Sequence, residues 1–140
     1  MTAVETAEAK ARWRAYGFLV LAALSVGLMM FNIGGGGSDF TRGMWLGVLA
    51  GSAFNLMPIK RWLRPNNSVV RLLDDETTRE YRQFSCTVGF WASSAAAIIL
   101  AAVTRYDAAL SSLDVAEIVA TAAIASAMLA FAALELRAAR

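Results

Sequence analysis

Apolar residues gather into four runs, at residues 15–33, 43–59, 84–103 and 115–136, around one long polar interval at residues 60–83. A helix rising about 1.5 Å per residue needs about 20 apolar residues to cross a hydrocarbon layer of roughly 30 Å, and as few as about 17 suffice. The pattern therefore predicts an all-α protein, a single integral membrane domain over residues 1–140 built as a four-helix bundle. Residues 1–14 are rich in Ala and Glu and predict a short surface helix leading into the first span. Gly34–Gly37 predicts a flexible turn, because four consecutive glycines lose too much backbone entropy to stay helical. No Lys-Ser/Thr succeeds them at the spacing of a phosphate-binding loop.

The polar interval contains Pro65, Asn66, Asn67 and Ser68, which break the chain and cap a new helix. From Val69 to Val103 there is no further breaker, so the third helix is expected to begin outside the membrane and run straight into the third span. Asp114 is the expected cap of the fourth span, with Glu117 in its first turn near the positive end of the helix dipole.

Charge gives the expected orientation. Eleven of the 13 basic residues fall at the amino terminus, in the interval 60–83 or at the carboxy terminus, leaving Arg42 and Arg105 for the other side. Under the positive-inside rule this places both termini and the 60–83 loop in the cytoplasm. Composition agrees: the chain is 58% hydrophobic and 17% charged, and its mean hydropathy is +0.52. The net charge of +2 flanks apolar spans instead of forming a basic domain, so direct nucleic-acid binding is not expected. With no His there is no His-ligated haem, no His-containing zinc site and no Ser-His-Asp triad, and the single Cys86 forms no internal disulfide. No cofactor, metal or catalytic residue is expected, and the chain is expected not to be an enzyme.

Candidate packing residues obey the small-xxx-small spacing that lets lipid-embedded helices approach closely. Gly43, Gly47 and Gly51 form such a face on the second span. Ser85, Gly89, Ser93, Ala97 and Ala101 form one on the third, and Ala122, Ser126 and Ala130 on the fourth. Packing within one bundle is the main expectation, and a homodimer seam is the other use of the glycine face. Cys86 is expected to be a buried, inert thiol. Glu117, one turn into the fourth span, is expected to be wetted at the outer boundary, to cap the helix or to pair with Arg105, while Glu135 lies at the span's other end. Asn32 and Asn55 are expected to hydrogen-bond locally. In the polar interval, Arg71, Asp74, Asp75, Glu76, Arg79 and Arg82 form a dense charged helix face. It is read either as a solvated surface or as a docking surface for a cytoplasmic protein, with Lys60, Arg61 and Arg64 meeting anionic headgroups of the lipid bilayer.

Leu73, Asp75, Glu76, Thr78, Arg79, Gly89, Phe90 and Trp91, within residues 72–91, resemble a stretch of small bacterial four-span membrane proteins of the alphaproteobacterial type. In these an acidic helix with an L-x-D-E-x-T-R pattern enters a span bearing G-F-W. Such proteins often stand beside a small helix-turn-helix regulator, so the resemblance implies a cytoplasmic helix-turn-helix regulator as partner. Small multidrug resistance transporters are similar in span number and are dimeric. They carry an essential glutamate in the first helix, where residues 15–33 here have no acidic residue. The expected function is thus a non-enzymatic inner-membrane protein that binds or sequesters a cytoplasmic regulator through its central loop helix. The alternatives are a dimeric four-span transporter of small molecules or ions using Glu117 and Asn55, and an accessory subunit of a larger membrane complex.

Overall fold

The computed structural model describes residues 3–57, 76–106 and 110–138. Within them the chain is entirely helical: α1 (Ala3–Phe31), closed by a π-helical turn at Asn32–Gly36, then α2 (Asp39–Leu56), α3 (Glu76–Tyr106) and α4 (Ser112–Ala138). Stretches long and apolar enough to cross a membrane occur in three of these, at Ala11–Gly36, Thr77–Tyr106 and Ser112–Ala138. The second expected span is shorter: α2 has 18 residues and bears Asp39 and Arg42 at its start. The surface helix expected at residues 1–14 is not separate, since α1 is continuous from Ala3.

The turn after α1 is tighter than a flexible linker. Asn32–Gly36 adds one π-helical turn, and Gly35 takes φ +90°, a conformation that glycine adopts without a Cβ penalty. Ser38 then caps α2 in a reciprocal capping box with Thr41. The same device opens α4, but Ser111 holds the cap instead of Asp114. Asp114 N–H donates to Ser111 Oγ at 3.2 Å, and the Ser111 N–H donates back to Asp114 Oδ2 at 3.0 Å.

Alongside an apolar core that includes Phe18, Met128 and Phe131, polar side chains are buried and many large apolar ones lie outside. Ser25, Asn32, Ser52, Ser85, Glu117, Thr121 and Glu135 are buried, while Val20, Phe54, Phe84, Phe90, Trp91, Ile98 and Ile99 are exposed. Large apolar side chains outside and polar ones inside suit a solvent of lipid tails, and the chain is a membrane protein on this pattern and on its three long apolar helices. Hydroxyls along the helices satisfy themselves by donating to the carbonyl one turn back, as Ser25 to Leu21 at 2.7 Å, Ser52 to Val48 at 2.7 Å and Ser85 to Tyr81 at 2.6 Å.

α4 is the central element, packed mainly against α1 and α3. Its buried positions Glu117, Thr121, Ala125, Met128, Ala132 and Glu135 are spaced by threes and fours, and so are Ala15, Phe18, Ala22 and Ser25 of α1. This spacing keeps a seam facing one partner along the helix, as in a coiled coil. The register of the seam is long. Arg14 meets Glu135, Phe18 meets Phe131 edge-to-face at 5.3 Å, and Asn32 meets Glu117. As α1 advances, α4 retreats by the same number of residues, so the two helices are antiparallel. The start of α1 lies beside the end of α4. α2 runs the other way relative to α1, parallel to α4, since Arg42 contacts Asp114 and Glu117 and Trp45 contacts Thr121.

Candidate functional site

Two polar clusters close the two ends of the α1–α4 seam. At the end where α1 finishes, Glu117 is only 1% exposed. Its Oε2 accepts from Asn32 Nδ2 at 3.3 Å, and its Oε1 lies 3.5 Å from Arg42 Nε, an ion pair without hydrogen-bond geometry. Arg42 also reaches Asp114 at 3.7 Å. One turn along α2 from Arg42, the Trp45 indole donates to Thr121 Oγ1 at 2.9 Å, a buried bond. The arginine and the tryptophan are three apart, so they point the same way from α2 and grip two successive turns of α4.

At the opposite end Arg14 pairs with Glu135 through two hydrogen bonds, Nε to Oε2 at 3.3 Å and Nη2 to Oε1. The Arg14 guanidinium also lies 5.2 Å over the Phe131 ring. A bidentate pair of this kind fixes orientation as well as charge, and an arginine on an aromatic face adds about 0.5–2 kcal/mol depending on its solvation.

These clusters correct the expectation for Glu117. It is neither wetted nor paired with Arg105: it is enclosed by Asn32 and Arg42, residues far from it in the chain. Asn32 likewise bonds across the bundle and not locally. Asn55 does bond locally, donating to Gly51 O at 3.0 Å from an exposed position. Glu117 is thus buried in the α1–α4 seam, while Asn55 is exposed near the end of α2.

The glycine face of α2 is also not where bundle packing would place it. Gly43, Gly47 and Gly51 are exposed, and nothing lies within 4 Å of a Cβ built on any of them. The buried side of α2 is instead Trp45, Leu49, Ser52 and Leu56. On α3, a Cβ added at Gly89 would stand 2.6 Å from the Ala123 carbonyl and 3.0 Å from the Ala127 methyl. The partners are thus Ala123 and Ala127, one position along from the stripe Ala122, Ser126 and Ala130. Ser93 is half-buried and donates to Phe90 O at 2.8 Å within its own helix.

Of the charged set, Arg71, Asp74 and Asp75 lie outside the described residues, as does the side chain of Glu76, the first residue of α3. Arg79 and Glu80 are exposed on the first turns of α3 and Arg82 is half-buried. Arg79 and Arg82 stand at one end of a cavity of about 910 Å3 between α2, α3 and α4. Cys86 is exposed and lines it, contrary to the buried thiol expected. Among the described residues no three His, Cys, Asp or Glu side chains are grouped so as to hold a metal ion. Comparison with protein-family models, with characterised proteins and with solved structures returns no match to this chain.

Proposed function

We propose that the chain crosses the bacterial inner membrane four times, with both termini and the 60–83 segment in the cytoplasm, and that the start of α3 docks a soluble regulatory protein. Support for the crossings comes from helix direction. α1 and α4 are antiparallel, and α3 connects to α4 through only a few residues, so the chain must return across the membrane between α1 and α3. α2, about 27 Å long and parallel to α4, is the element available to do so. Its end at Leu56 joins the apolar cluster of Ala15, Phe18 and Phe131, close to the start of α1.

The observation that carries the docking role is the length of α3. It is one unbroken helix of 31 residues, about 46 Å, against a hydrocarbon thickness of roughly 30 Å. Its polar first turns, bearing Arg79, Glu80 and Arg82, therefore project from the bilayer on a rigid stem. In this reading the partner is held at Asp74, Asp75, Glu76, Arg79 and Arg82. A small movement of α3 against α4 alters that contact, which makes sequestration of a helix-turn-helix regulator the mechanism. Reversing the charge of those five residues and capturing partners from detergent extract tests it. A regulator lost from the captured set is the expected result, and an unchanged set defeats the reading.

A further inference from the structure

The cavity between α2, α3 and α4 has the shape and chemistry of a lipid site. α2 packs on α1 and α4, and α3 packs on α4, which leaves a lateral crevice between α2 and α3 floored by α4. Its lower walls are apolar and small, with Leu56, Phe90, Ala123, Ile124 and Ala127. Among the described residues that line it, the charged ones are Arg79 and Arg82, both on the first turns of α3. At about 910 Å3 it lies at the upper end of the roughly 300–1,000 Å3 typical of small-molecule sites. From Arg79 to Phe90 the wall runs eleven residues of α3, about 16 Å, close to half of a roughly 30 Å hydrocarbon layer.

We infer that this groove seats one anionic phospholipid of the adjacent leaflet, with an acyl chain along Leu56, Phe90 and Ile124 and its phosphate against Arg79 and Arg82. The depth matches one leaflet, the apolar wall matches a chain, and the two arginines supply the charge that a phosphate needs at the polar end. A basic pocket between helices selects the headgroup, whereas flat basic surfaces attract only a diffuse layer. The site goes beyond the docking role and does not depend on any soluble partner.

Cys86 is the chain's one cysteine and lines the groove, so its alkylation reports occupancy without any substitution. The purified full chain is reconstituted in bilayers of phosphatidylcholine alone or with added phosphatidylglycerol, and the rate of Cys86 alkylation by N-ethylmaleimide is measured by mass. A several-fold, saturable slowing by phosphatidylglycerol is expected. The double variant R79Q/R82Q should lose it, while R12Q, an exposed arginine on α1, should keep it. Thr87→Trp, which fills the groove beside Cys86, should slow alkylation by itself and remove the lipid effect. Equal rates in both bilayers would overturn the inference. So would slowing that survives in R79Q/R82Q, or slowing that tracks protein density instead of anionic lipid, the sign of a second copy covering the groove.

Discussion

Glu117 and Glu135 stand five helical turns apart on α4 and face the same seam, and each is met by an arginine from another helix. Burying a carboxylate in a membrane bundle is costly, and the cost is offset only while its partners stay in place. Arg42→Gln should therefore lower stability by about 1–2 kcal/mol, below the scale for a fully buried pair because the arginine is partly exposed. Adding Glu117→Gln should recover part of that loss. Unfolding of the wild type and the three variants in mixed detergent gives the coupling, and strictly additive losses would contradict the pairing. These contacts are hard to read from the chain because Arg42, Asn32 and Glu117 lie on three different elements, while charge patterning reports only neighbours along one helix. A clue is present: Glu117, Thr121, Met128 and Glu135 share a face, and two carboxylates on one apolar seam call for cations at both ends.

On α1 and α2 the buried positions alternate steps of three and four, as Trp45, Leu49, Ser52 and Leu56 do on α2. A strict step of four drifts around the helix, because four residues exceed one 3.6-residue turn. This is why Gly43, Gly47 and Gly51 mislead as a packing face while the helices themselves, their order and their apolar lengths are legible. Gly89 is the exception, since it lies where α3 and α4 approach most closely. Gly89→Ala should push α3 off α4 and cost about 1–3 kcal/mol, as overpacked contacts do. Gly47→Ala, with open space around it, should be neutral or stabilising by up to about 1 kcal/mol from helix propensity. Thermal unfolding in detergent separates the two, and equal effects would contradict the assignment of faces. The starts of α2 and α4 are less legible, because the caps are the serines Ser38 and Ser111, answered from three positions on by Thr41 and Asp114.

For the whole molecule, one continuous antiparallel seam brings Arg14 of α1 beside Glu135 near the end of α4. The end of α2 at Leu56 and the first turns of α3 at Arg79 and Arg82 line one cavity. The four crossings proposed above, together with the Lys and Arg that the sequence gathers beside three of the polar segments, predict a single orientation under the positive-inside rule. Impermeant maleimide labelling of intact cells is the direct test, using single cysteines in a Cys86→Ser background at Gly36→Cys, Asn66→Cys and Ala109→Cys. The account predicts labelling at 36 and 109 in intact cells, and at 66 only after the membrane is opened. Labelling at 66 in intact cells, or the same response at 36 and 66, would contradict it.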